Sequence, residues 1–212
     1  MTVSIAVYSD YKSPYAYLAK DPAYELERDF DVRLDWRPFV LDIPAYLGSA
    51  EVGAAGEVLR ESRNAHQWRR VRYSYMDVRR AANRRGLTIL GTRKIFDSTI
   101  AAIGMLYAQR AGTFRRYHDI TFERFWRREL DIESPEVVGA VLAESGADIA
   151  GWPAFLAGEG HAERQRLQRE AEESGVFGVP SLVIDGELYW GREHLANIRE
   201  MLTAAGHAKR TG

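Results

Sequence analysis

The first forty residues restrict the fold more than any other stretch. Val3, Ile5 and Val7 alternate with smaller side chains, the pattern of a buried strand. Ser13-Pro14 then offers a helix start. The serine hydroxyl can cap the first turn, and proline suits the first position, where its missing N–H costs nothing. The helix is predicted to run to about Arg28. Val32-Arg33-Leu34-Asp35-Trp36-Arg37 alternates again as a second strand, ended by Pro38. A crossover this long joins parallel strands and is right-handed. A chain that opens this way is committed to a mixed α/β sheet.

The other end supplies the complement. Residues 181–184 read as a strand, Asp185-Gly186 as a tight turn, 187–190 as its partner and 192–204 as a last helix. Between the two ends, 40–62 is irregular, broken by Pro44, Gly48, Gly53 and Gly56. Helices are predicted over 64–85 with Gly86 as C-cap, 94–111, 113–128, from Ser134-Pro135 onward, 148–157 and 160–174. The order is β-α-β, a helical block, then β-β-α. Both ends are needed to complete one sheet, so the block reads as an insertion within one domain spanning 1–212. The polar tail 206–212 is expected to fray.

Composition excludes several chemistries. The chain has no cysteine, which removes disulfides, thiolate nucleophiles and Cys-ligated metals, and with them a dithiol oxidoreductase. Five histidines, with no HxH or HExxH spacing, give a metal site weak support. With 29 basic against 30 acidic side chains, net charge is −1, so nothing drives the chain toward nucleic acid or an anionic membrane. No signal peptide or membrane-length apolar run is evident, and a cytoplasmic location is expected.

Three features carry possible chemistry. Ser13 is at the least a helix cap, but first-turn N–H groups and the helix dipole also favour an anion there. No His-Asp pair accompanies it, so a serine nucleophile has little support. Val179-Pro180 precedes a strand after a glycine turn. A cis bond at that place would present the Val179 backbone N–H and C=O to a peptide-like ligand. The helix over 64–85 is rich in arginine. Its plain reading is a solvated, ion-paired face, and its functional reading puts Arg70 against a carboxylate of ligand or substrate. Among the aromatics, Trp36, Tyr17 and Trp190 read as core, Tyr15 as a pocket residue close to Ser13, and Trp126 as a possible cover over an aromatic substrate.

Four segments in order carry a family resemblance: Ser13-Pro14-Tyr15-Ala16-Tyr17-Leu18-Ala19, Tyr73-Ser74-Tyr75-Met76-Asp77-Val78-Arg79-Arg80, Gly175-Val176-Phe177-Gly178-Val179-Pro180-Ser181 and Tyr189-Trp190-Gly191-Arg192-Glu193-His194-Leu195. The chain resembles the kappa-class glutathione transferases and 2-hydroxychromene-2-carboxylate isomerases, a DsbA-like branch of the thioredoxin superfamily. The resemblance implies a thioredoxin-like core at about 1–40 and 175–206, with a large all-helical insertion at about 41–174. It implies a cofactor, glutathione or another low-molecular-weight thiol. Ser13 would contact the thiol sulfur, Val179 would pair with the cysteinyl backbone beside a cis Pro180, and Arg192 and Glu193 would meet the γ-glutamyl end. Arg70 stands where the family has lysine, Glu193 where it usually has aspartate, and Asn64 takes the place of a family asparagine. A homodimer is the family tendency.

On that reading the chain is a thiol-dependent isomerase of an aromatic keto-acid such as 2-hydroxychromene-2-carboxylate. A kappa-type glutathione transferase and a redox-inactive DsbA-like binding module remain the alternatives.

Overall fold

In the computed structural model, which describes residues 2–209, the two ends of the chain build one sheet. The opening unit is β1 (Val3–Ser9), α1 (Pro14–Asp29) and β2 (Val32–Pro38). The two strands run parallel, Val3 opposite Val32 and Val7 opposite Trp36. The insertion follows: α2 (Ile43–Leu47), β3 (Ala50–Val52), β4 (Val58–Glu61), α3 (Ala65–Arg84), α4 (Thr99–Arg110), α5 (Phe114–Trp126), α6 (Pro135–Ser145), α7 (Trp152–Ala157) and α8 (Glu159–Glu173). The chain then returns through β5 (Ser181–Ile184), β6 (Glu187–Trp190) and α9 (His194–Ala204). β5 lies antiparallel beside β1 with Ile5 opposite Ile184, giving the order β2-β1-β5-β6. Asp185 and Gly186 both take positive φ, 50° and 84°, the turn that matches a hairpin's twist.

Helix α1 carries apolar side chains on two faces and so joins two cores. Leu26 packs with Ile5, Leu182 and α9 residues Ile198 and Leu202 on the sheet side. Tyr17 and Leu18 pack with Ile103, Phe122 and Leu142 of the helical block. Pro22 lies inside α1 and cannot donate to the Leu18 carbonyl one turn back. Arg85, just past α3, fills the gap: it donates to Leu18 O at 2.5 Å and to Asp21 Oδ2 at 2.8 Å. The helix thus passes through proline with that acceptor satisfied, and the same side chain fastens α3 to α1.

Three expectations are corrected. The insertion is not all helical: β3 and β4 form an antiparallel ribbon, Ala50 opposite Glu61, in a stretch predicted to be irregular. All of β4 is exposed, so no buried face imposes the alternation that marks a strand. The helix predicted from residue 94 begins at Thr99, because Asp97 Oδ1 takes the Thr99 N–H and hydroxyl in a turn. Residues 206–209 are not frayed. Asp31 N–H donates to His207 O and Lys209 N–H to Asp29 O, stitching the tail to the start of β2; residues 210–212 lie outside the described residues.

Candidate active site

The turn from β1 into α1 is held from below by buried polar contacts. Tyr11 OH hydrogen-bonds His118 Nδ1 at 2.9 Å. The Asp10 carboxylate accepts from Lys12 N at 3.1 Å and Leu41 N at 2.8 Å. Burial pushes the Asp10 pKa up, opposed by the Lys12 ammonium 3.7 Å away. These contacts fix Ser13 as the N-cap of α1, with Oγ accepting from Ala16 N at 3.2 Å.

Across a cleft stands the turn before β5. The Val179-Pro180 peptide bond is cis. Ser13 Oγ donates to the Val179 carbonyl at 3.5 Å, a long contact that joins segments 166 residues apart. A Cβ on Gly178 would lie 2.7 Å from Trp190 Nε1, so any side chain here would displace the Trp190 ring. Gly191 N–H donates to Pro180 O at 2.9 Å, tying the turn to the segment that leads into α9.

Between these turns and α3 opens a cavity of about 930 Å³. Ser13, Tyr15, Val179 and Pro180 line one side, Arg192 and Glu193 the end near α9, and Arg70 the α3 side. Seven of the nine sequence-predicted site residues therefore share one space. Burial raises the Tyr15 pKa; the Ser74 hydroxyl opposes this and the Asp77 carboxylate adds to it. The Tyr15 phenol is therefore a proton-bearing group at neutral pH. Arg192 Nη2 lies 3.4 Å from Asp77 Oδ2, and its guanidinium sits 5.9 Å over the Tyr15 ring.

Asn64 and Trp126 are outside the cavity lining. Asn64 caps α3: its side chain accepts from Gln67 N while Gln67 reciprocates to the Asn64 N–H, a capping box. Trp126 is 1 % exposed and stacks edge-on against Phe125 in the helical core. Trp190, read as core, is the indole that reaches the cavity. It ends the edge strand β6, is 50 % exposed, and packs 4.9 Å from Phe177, itself 62 % exposed. Sequence reasoning missed Ser74, Asp77 and Phe177 as site residues, although all three fall within the segments that carry the family resemblance. Among the described residues no cluster of three or more His, Asp or Glu could hold a metal, and no helix is long and apolar enough to cross a membrane.

Residues 4–203 match the DSBA-like thioredoxin domain. The chain belongs to that family. Among curated proteins, 2-hydroxychromene-2-carboxylate isomerase of Sphingobium xenophagum is 27% identical over 198 residues, covering 92% of this chain and 95% of the relative. The enzyme of the same name from Pseudomonas putida is 23% identical, covering 89% and 88%. Among solved structures, a 2-hydroxychromene-2-carboxylate isomerase superposes with a TM-score of 0.74 at 21% identity, over 96% of both chains. A probable DsbA oxidoreductase of Streptomyces coelicolor superposes with 0.75 at 19% identity, over 99% and 92%. The superpositions establish the DsbA-like thioredoxin fold, and DsbA family membership leaves the chemistry to the site.

Proposed function

We propose that the cavity binds glutathione, or a closely similar thiol, and that the protein is an isomerase of an aromatic keto-acid of the 2-hydroxychromene-2-carboxylate kind. The observation that carries this reading is the meeting of Ser13 Oγ with the Val179 carbonyl at a helix N-terminus, in a chain without cysteine. The names of the curated relatives, which match over about nine-tenths of both chains, point the same way.

The residues fit such a cofactor by chemistry. A hydroxyl and a helix N-terminus suit a sulfur that must carry negative charge. The Val179 backbone suits a peptide group. Arg70 suits a carboxylate, and the exposed Glu193 an amine. When bound, the thiol supplies a nucleophile that adds reversibly to the conjugated carbonyl system of the substrate. The protein does the rest. The long Ser13–Val179 contact leaves the Ser13 proton available for redirection toward the anion. The protonated Tyr15 phenol can donate to an oxygen on which charge develops, with Arg192 beside it for support. Phe177 and Trp190, their rings tilted at 54° to each other, give an apolar rim for a ring.

The test is turnover of 2-hydroxychromene-2-carboxylate, followed by absorbance, with and without glutathione. Turnover should require the thiol. Accumulation of a stable thiol conjugate would make the protein a transferase instead. Calorimetry showing no binding of glutathione or its analogues would leave a binding module.

A further inference from the structure

A second cavity of about 300 Å³ lies between β3, α3 and the segment 92–95. It is an annex of the first, since Arg63, Val71, Tyr75, Thr92 and Ile95 line both. Its walls carry Arg63, Arg72, Arg79, Arg93 and Lys94, and no Asp or Glu. Lys94 pairs with Glu133. Among the described residues, none of the four arginines has a carboxylate within 4.0 Å. Arg63 is half-buried: its Nε donates to Leu47 O at 3.1 Å and its guanidinium lies 5.1 Å over Trp68. Burial lowers the Arg63 pKa, as expected of a cation with no acidic partner. Arg79 is placed by the Ile89 carbonyl at 3.2 Å and by the Tyr75 ring at 5.4 Å. Glu61, close by, is engaged by Trp68 Nε1 at 2.7 Å and does not line the space.

In a chain whose charges nearly cancel, four unpaired guanidinium groups around one hollow mark a local excess of positive potential. Guanidinium forks and aromatic faces together match a planar anion attached to an unsaturated body.

We propose that the annex is a carboxylate subsite of the main cavity, receiving the anionic end of a ligand whose body lies beside Tyr75 and Ile95. The assignment rests on the function proposed above for the substrate class, an aryl carboxylate. A carboxylate of the thiol is the same chemistry from another source.

The probes are salicylate and salicylamide, and glutathione and its ethyl ester, titrated calorimetrically into the full chain. The variant is Arg72→Gln with Arg93→Gln, two exposed side chains outside the main-cavity lining, whose loss leaves the hydrogen bond from Val52 N to the Arg93 carbonyl in place. The wild type should prefer salicylate to salicylamide, and raised salt should shrink the preference. The double variant should weaken salicylate about 10-fold or more and leave salicylamide unchanged. A loss confined to glutathione, spared in its ester, would keep the subsite and assign it to the thiol. Equal wild-type binding of the acid and its neutral partner in both pairs, or a variant that binds salicylate and glutathione as well as the wild type, overturns the proposal. Glutathione-dependent turnover on the same preparations reads the proposed function separately: an inactive wild type that still discriminates salicylate sinks that reading and keeps the subsite.

Discussion

The cavity has two walls of different origin. One is made where the chain ends meet: Ser13 at the start of α1, Val179 and Pro180 before β5, and Arg192 ahead of α9. These residues are fixed by sheet register, a helix cap and backbone hydrogen bonds. The other wall is made by the insertion, chiefly α2, α3 and the segment 92–96, with β3 bordering the annex. There the chemistry sits on long arginine side chains. The first wall is built to hold atoms in place, as the proposed thiol chemistry would require. The second presents charge on long side chains, of which Arg63 and Arg79 are anchored by backbone carbonyls and the exposed Arg72 and Arg93 can follow a ligand of variable shape. Fixed geometry on one side and adaptable charge on the other suggests that reaction and substrate choice are carried by separate parts of the fold.

Two tryptophans give the sharpest way to break that comparison. Trp126→Ala would empty a fully buried site in the helical core and should cost about 3–5 kcal/mol of stability. Trp190→Ala removes a half-exposed ring at the cavity mouth, and its main effect should be weaker binding of aromatic ligands, with stability changed by about 1 kcal/mol or less. Chemical denaturation of both variants, set beside ligand titrations, checks the contrast. Equal destabilisation would mean that the rim is structural.

Next in size is Ser13→Ala. Loss of a cap costs about 1 kcal/mol, or roughly 2–4 °C in a protein of this size. Loss of a charge-assisted hydrogen bond to a thiolate should lower turnover by about 10- to 100-fold. Turnover and melting temperature falling in step would reduce Ser13 to a helix cap and remove the main support for the fixed wall.

The fixed wall was largely legible in the sequence; of the other wall, α3 and Arg70 were legible, and the strands and the annex were not. Ser13-Pro14 has a local physical signature, and so do the Asp185-Gly186 turn and the alternation in β1 and β2. The family segments added Arg192 and Glu193. β3 is only three residues long and β4 has no buried face, so neither shows a readable period. Trp126 and Trp190 could not be told apart because exposure depends on neighbours far along the chain: Trp190 ends an edge strand, whereas Trp126 is enclosed by helices of the insertion. Asn64 was placed correctly as the start of a helix, but its capping box spends the amide on the backbone. Pro22 would have argued for a break in α1, and only the distant Arg85 explains its absence.

Arg85 and His118 are the seams between the regions, and each yields a smaller test. Arg85→Leu strands the Leu18 carbonyl and leaves Asp21 with Lys20 alone, and should cost about 1–3 kcal/mol. Replacement of Pro22 by Ala in that variant restores a backbone donor and should return part of the loss. A double-mutant cycle by denaturation measures the coupling; strict additivity would show that Arg85 does not serve the proline gap.

His118, on α5, is packed between Trp36, Phe114 and Phe122 and shares a hydrogen bond with the Tyr11 hydroxyl through Nδ1, while among the described residues Nε2 has no partner. Burial holds its pKa well below 6.5, with the positive charges of Lys20 and Arg115 adding to the effect. The imidazole is therefore neutral in the folded chain while the unfolded chain gains a proton as pH falls through about 6.5. The unfolded state binds more protons below that point, so this contribution to stability is complete above about pH 6.5 and shrinks on acidification, by about 1.4 kcal/mol per pH unit at its steepest. His118→Gln keeps a side chain able to accept from Tyr11 and removes the titration. Its denaturation free energy should be lower than the wild type's at pH 8 and should fall less steeply between pH 6.5 and 5.5. Parallel pH profiles would mean that His118 accepts its proton inside the fold, and that the insertion opens around the turn leading to Ser13 more readily than its packing implies.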